Sequence, residues 1–584
     1  MQYRQLIKSL SRRGQVKCFL LLYLFTFMSA SAQDISQIGK SDPLIITGAV
    51  GTSNTYHYTN VGSGYASPLN NSVYANMNIS LYGFSMPFSI YYSNDNLDFN
   101  YPKFSFNLQP HYKNWTGYIG QSGMNFSSYV MSMGFNGVGV EYDSGKLRFG
   151  AFYGILRNAV NDDPTDPFAR RPQYKRVGWG FKVGYGTASN YIDLFVLRAN
   201  DRPKSLNESW RKVVLPQQNF VVGLRGGVRI LKSLSFTGNL ATSLYTGDVE
   251  AEKISVGSAN KFEALFEPRV SSMVRFAGDV SLNYSIQGIN ASLYYRLIQP
   301  DYTSLGTYYM SNNFHGLGLT LTTNLFNTVS IGANFSGQED NLTNKQLFTT
   351  RGFIYSLSAS SRLGQHFNLA ASYNGYLQTQ GDGTAKVNDS TRVHRVMHSF
   401  TLAPSFMAET ETLGHTVTLS ASYTQNKDLN KFSTGQGNVK STALGLSYNM
   451  NIKSVEMDVS TALSHQVSKG WQSQYSSDVA SVTASRAFLK EKNLTTSLTG
   501  SLCYSEMKHQ SKSLSIGFDV ALGYVLKQCH AFSFSAGLNT YGDVNQSKRR
   551  SHIDSRDFTC SLNYNYTFSL VEIKRKAEKA GANE

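Results

Sequence analysis

FTCSLNYNYTF, residues 558–568, is the stretch whose reading decides the fold. Phe558, Cys560, Leu562, Tyr564, Tyr566 and Phe568 share one parity, while Thr559, Ser561, Asn563, Asn565 and Thr567 share the other. An unbroken period of two is the pattern of a β-strand with one apolar and one polar face. Reading backwards along the chain, the same alternation returns in TSLTGSLCY (496–504), TVTLSASY (416–423) and KLRFGAFYGIL (146–156). Between such runs lie short turns, among them DSGK (143–146), ASN (188–190), QG (287–288), LGQ (363–365) and KQC (527–529), rich in residues that tolerate tight hairpins. Longer polar loops alternate with them, as at 161–173, 201–218 and 381–393.

Pairing each short turn with its flanking runs gives about 26 strands, within a range of 24–28, from near Pro43 to Phe568. An even antiparallel meander with short turns at one end and long loops at the other is an all-β fold, a single transmembrane antiparallel up-and-down β-barrel. FTCSLNYNYTF is then the closing strand, paired with the first strand so that no edge is left exposed. Tandem β-sandwiches would show composition breaks about every 100 residues, and none is visible. Aromatics beside the short turns, Tyr185 with Tyr191 and Tyr524 with Phe532, suit an interfacial girdle. Pro87, Pro110 and Pro404 fall inside runs, where a missing N–H predicts bends or bulges.

Composition agrees. The chain has 36 Tyr, 35 Phe and 49 Gly, and only 16% charged residues, against roughly 25% in ordinary soluble domains. Arg4, Lys8, Arg12, Arg13 and Lys17 precede the apolar run CFLLLYLFTFM (18–28) and then SASA. This reads as a Sec signal peptide, residues 1–32, cleaved between Ala32 and Gln33. Removing those five basic residues from 54 Lys and Arg leaves 49 against 38 Asp and Glu, a net +11. The excess is dispersed, without the stripe or aromatic motif of a nucleic-acid binder, and suits outer-membrane lipid and lipopolysaccharide. Three mature cysteines, Cys503, Cys529 and Cys560, imply no disulfide framework.

Particular blocks carry a family likeness: QIGKSDPLIITGAVG (37–51), SLYGFSMPFSIYYSN (80–94), GVGVEYDSGKLRFGAFYGILRNAV (137–160), YKRVGWGFKVGYG (174–186) and YRLIQPDYTSLGTYYMSNN (295–313). They resemble a family of large outer-membrane β-barrel proteins of the Bacteroidota, over roughly residues 35–345. The resemblance implies a Gram-negative outer membrane and insertion by the barrel-assembly machinery. It supplies no catalytic residues. Gln299 and Thr307 stand where relatives tend to carry an acidic residue and Ala.

The divisions expected are a signal peptide (1–32), a short periplasmic segment (33–42), the barrel (43–569) and a basic periplasmic tail (570–584). No catalytic, cofactor-binding or metal-binding set emerges, and the chain does not read as an enzyme. His394 and His398 are four apart, which on a strand separates them by about 13 Å, too far to share an ion. GQSG (120–123) lacks the spacing of a nucleophile elbow. GMNFSSYVMSM (123–133) has two readings: an inward constriction through Met124, Phe126, Tyr129 and Met131, or a Met-rich loop packed on its neighbours. Pro300, Asp301 and Tyr302 belong to a second candidate constriction or surface loop.

Twenty-six strands about 4.8 Å apart and tilted about 40° make a circle roughly 50 Å across. Left open, that hole would leak. With about ten residues before the first strand and inserts of no more than about 20, neither a plug domain nor a periplasmic domain is expected. Three readings follow. The first is a conduit or scaffold working in surface export or assembly with a lumen-filling or periplasmic protein partner. The second is a general diffusion porin for small solutes, and the third a cell-surface binding protein acting through its loops. The oligomeric state is left open.

Overall fold

The structure, a computed structural model, describes residues 44–60, 68–94, 103–163, 165, 170–254, 266–433, 435–489, 491–544 and 553–573. The signal peptide with Ala32 and Gln33, the segment 33–42 and residues 574–584 lie outside them.

Alternation of apolar and polar residues becomes strand after strand. In order they are β1 (Leu44–Thr59), β2 (Leu69–Leu81), β3 (Phe84–Ser93), β4 (Phe104–Leu108), β5 (His111–Tyr112), β6 (Trp115–Ser122), β7 (Phe135–Asp143) and β8 (Leu147–Arg157). Then come β9 (Arg176–Gly186), β10 (Tyr191–Asp201), β11 (Gln218–Leu231), β12 (Leu234–Thr246), β13 (Ser272–Ile286), β14 (Ile289–Ile298) and β15 (Phe314–Leu325). Twelve more, from β16 (Val329–Asp340) to β26 (His530–Asp543) and β27 (Ile553–Ile573), complete the wall. Neighbours in sequence pair antiparallel, and β1 pairs with both β2 and β27, so the sheet closes on itself. Closure satisfies the backbone groups that an open edge would leave bare in lipid.

The strand count rests on one proline. Pro110 has no N–H to give, and the strand that contains it is cut into β4 and β5. Both pieces pair with β3 on one side and β6 on the other, so 27 segments make 26 strands. Across the cut, Gln109 N donates to Pro87 O at 2.9 Å and Gly117 N donates to Pro110 O at 2.7 Å. Each proline accepts a bond that it cannot return. At Pro404 the ladder between strands His394–Glu409 and Leu413–Asp428 lapses from Leu402↔Ala421 to Ser405↔Thr418. The register resumes unchanged, so these sites are interruptions without a slip.

The closing strand behaves as its alternation demands. Leu562 lies opposite Asn54 and Phe534, Tyr564 opposite Thr52 and Phe532, and Phe558 opposite Tyr58 and Leu538. Leu562, Phe532, Phe534, Leu538 and Tyr58, together with Leu498, Leu502, Ile516 and Phe518, form an exposed apolar belt on the outer face. Such a continuous surface belongs against hydrocarbon. β27 continues to Ile573, with Val571 paired to Ile46, so the wall runs past the boundary expected at 569. Two further expectations change. The connection 247–271 is longer than the inserts anticipated, and Tyr191 takes the inward parity beside Arg148, leaving Tyr185 alone to face outward there. Cys503, Cys529 and Cys560 are free.

Candidate functional site

The buried core of this barrel lies inside the lumen. On β10 the odd residues Asp193, Phe195, Leu197, Ala199 and Asp201 are buried, while Ile192 and Leu194 on the even parity are exposed to the outside. What buries the odd set is a pair of loops, 123–134 between β6 and β7 and 299–313 between β14 and β15. Both turn inward from the long-loop end. Met124, Phe126, Tyr129, Val130, Met131, Met133, Tyr302 and Leu305 form one cluster with Phe135, Phe152, Leu156, Phe195, Leu197 and Val221 from the wall.

The first loop folds tightly because Ser127 O accepts from both Val130 N and Met131 N at 2.9 Å. Its aromatic residue then stacks into the wall: Phe126 meets Phe152 edge-on at 5.6 Å and Phe195 at 5.7 Å between ring centroids. The second loop lies beside it through a parallel bridge, Met131↔Gly306. Gly306 O accepts from Ser132 N and Met133 N at 3.0 and 3.1 Å. A side chain at 306 would not fit, since a Cβ there would stand 2.4 Å from Leu197 Cδ2 and 2.7 Å from Val130 O. Gly223 on β11 does the same for Val130, whose Cγ2 would lie 2.4 Å from a Cβ.

Polar groups fasten the loops where they reach the wall. Tyr302 donates to Tyr129 O at 2.8 Å, and Ser304 donates to Val130 O. Tyr129 donates to Asp279 Oδ1 at 2.6 Å, and Ser127 to Asn239 Oδ1 at 2.7 Å. Leu305 N donates to Asn219 Oδ1 at 3.0 Å, and Ser243 Oγ donates to Thr303 O. Arg275 Nε donates to Pro300 O at 2.9 Å. These bonds leave few buried donors or acceptors unmet, which is what lets polar loops lie against an apolar wall.

Ion pairs bracket this core. Toward the short turns, Asp193 binds Arg148 at 2.7 Å and Arg225 at 3.1 Å. Toward the long loops, Arg176 holds Asp201 through two bonds of 2.8 and 3.1 Å, with Arg157 at 3.7 Å. Lys182 joins Glu141, which also accepts from Tyr118 at 2.7 Å. Outside the wall, Arg170 in the loop 158–175 holds the Asp162 carboxyl down at about 2. In the loop 247–271, Lys253 and then Arg269 hold Glu267 below the usual carboxylate range.

The two loop segments singled out from sequence are thus brought together by the fold. Met124, Phe126, Tyr129 and Met131 are buried, and so is Tyr302, whereas Asp301 is exposed and in the left-handed region with φ 58°. Both readings of the first loop meet in this arrangement: it folds inward, and it does so by packing on its neighbours. What the sequence reading missed is the receiving wall. Its signal was present in β8, where Phe152 and Leu156 make the inward parity apolar while Leu147, Phe149 and Tyr153 make the outward parity apolar as well. A strand apolar on both faces is covered on both. His394 and His398 share the outward parity, where His398 Nδ1 pairs with the Tyr373 hydroxyl at 2.8 Å and the Tyr355 hydroxyl at 3.2 Å.

The sequence matches no protein-family model and no curated protein. Among solved structures it is similar to OccAB3 of Acinetobacter baumannii, at 11% identity over 65% of this chain and 100% of that one, with a TM-score of 0.30. It is similar to OccK8 (OprE) of Pseudomonas aeruginosa, at 11% identity over 61% and 93%, with a TM-score of 0.30. It is also similar to the translocation pore of the P pilus usher PapC, at 10% identity over 90% and 99%, with a TM-score of 0.32. At such scores none of these likenesses bears on what this chain does.

Proposed function

We propose that the chain is an outer-membrane conduit of a Gram-negative cell, not an enzyme, whose lumen is shared with a partner protein during surface export or assembly. The observation that carries this reading is the one-sided filling of the lumen. The two loops cover the inner wall of β7–β14, and Ser127, Tyr129, Thr303 and Leu305 are bonded to side chains of β11–β13. From β16 through β27 to β3, no described inward side chain is buried by them. Among the described residues two short loops fill one side of a ring of 26 strands, and a space of that width left open would be a leak in a cell envelope.

The test is extraction in mild detergent, identification of co-purifying chains, and conductance in a planar bilayer. The complex should conduct weakly, and stripping the partner should raise its conductance. A native extract that carries no partner and conducts as an open pore would sink this reading. That outcome would favour the diffusion porin, for which the water-facing, hydroxyl-rich wall is the supporting feature.

A further inference from the structure

The two halves of the lumen differ in charge. On β7–β13 the inward face holds Glu141, Arg148, Lys182, Asp193, Arg225 and Asp279, buried or half-buried beneath the loops. Register from β16 through β27 to β3 assigns the opposite wall a different chemistry. A row across it reads Thr322↔Gly332, Gly332↔Ser358, Ser358↔Ser372, Ser372↔Thr401 and Thr401↔Ser422. Excluding the two residues at each strand end, the acidic or basic inward residues of that wall are Asp519 and the pair His57–Asp557, joined at 2.6 Å. The rest are Ser, Thr, Asn, Gly, Ala and Gln, with a few Tyr and Met and isolated larger residues such as Ile354.

Several hydroxyls of this wall are paired with one another across strands. Ser399 bonds Thr424 and Thr483 bonds Thr499, both at 3.0 Å, while Ser505 bonds Ser513 at 2.7 Å. Thr55 bonds Ser561 at 3.1 Å across the closing seam. Hydroxyls already paired across strands offer a passing chain little unmet hydrogen bonding. Without charge they hold no counter-ion and neither attract nor repel a charged side chain strongly. A recess of about 410 Å³ lies at this row, lined by Thr322, Ser330, Ser358, Ser372 and Thr401 among others, the size of a few side chains.

We infer that this sparsely charged wall is the track for an extended polypeptide of mixed sequence, held weakly and without regard to its charge. The inference rests on the conduit reading and names its cargo. Selective solute pores place rings of charge at their narrow points, and a nucleic-acid path would need a run of cations; away from the strand ends the described residues of this wall form neither, and the inward arginines Arg362 and Arg395 lie at strand ends.

The experiment uses the full chain, stripped of partners, in a planar bilayer. The probe is an unstructured Gly/Ser/Thr-rich polypeptide of about 100 residues with a terminal run of lysines to draw it in. A dextran of matching hydrodynamic radius is the comparison. The polypeptide should give transient blockades whose dwell time is unchanged when acidic or basic residues are scattered through it, and dextran should give none. The triple variant Ser358→Lys, Thr401→Lys, Ser422→Lys should lengthen the dwell of the acidic version by about tenfold or more. A conducting barrel that excludes the polypeptide, or one blocked equally by dextran, overturns the inference and leaves the conduit reading standing. A native extract that is an open, partnerless pore sinks the conduit reading instead.

Discussion

The Tyr302 hydroxyl donates to the Tyr129 carbonyl oxygen at 2.8 Å, joining two loops 173 residues apart in sequence. Both residues are buried, at 1% and 4% exposure. Through this bond and the Met131↔Gly306 bridge the loops form one body on the inner wall. Tyr302→Phe should therefore cost about 1–3 kcal/mol, since it strips a buried carbonyl of its donor. Equilibrium unfolding in urea with detergent would read the loss, and an unchanged midpoint would show that the bond contributes nothing.

Gly306→Val should do more, because the added carbons collide with Leu197 and with the Val130 carbonyl, which cannot yield. Overpacking of this kind costs about 1–3 kcal/mol. The second loop should lift from the wall, seen as new protease cleavage within 299–313 and a larger single-channel current in the stripped barrel.

Arg176 and Asp201 are 4% and 5% exposed and hold each other by two bonds. Arg176→Met alone should destabilise by about 3–5 kcal/mol, because it leaves a buried carboxylate with a poorer partner in Arg157. Adding Asp201→Leu should recover most of that loss. Thermal denaturation of the two variants side by side checks the order.

The Asp162–Arg170 contact gives a pH dependence. Its carboxyl sits at about 2, below the ordinary value of 3.8. A depressed folded-state value means the tie is fully present above about 4 and is lost as pH falls toward 2. Cleavage of the loop 158–175 by an acid protease should rise over that window. In Arg170→Gln the rise should start at higher pH.

Leu562→Arg places a charge on the outward face of the closing strand, among Phe534 and its neighbours. Facing lipid near the midplane it should cost about 2–4 kcal/mol. Ser561→Arg, one residue away on the inward face, should cost much less. Folding yields into lipid vesicles would separate the two, and equal losses would contradict the assignment of faces.

By itself the sequence determined the wall. Period-two alternation in FTCSLNYNYTF and its counterparts and hairpin residues at the short turns led to strand number and closure, because these depend on neighbours in the chain; at Pro87, Pro110 and Pro404 the expected bends or bulges are instead places where the register runs on without a shift. Only the tertiary structure decided the interior. Met124, Phe126 and Tyr302 are equally apolar on an exposed loop and on a buried one. Their place depends on Phe152, Phe195, Leu197 and Gly223, which lie on strands far along the chain and form one surface only once the barrel has closed. The same closure separates a charged half of the lumen, covered by the two loops, from a half that carries few charges among its described residues, since each strand's inward face acquires its meaning from the strands set beside it.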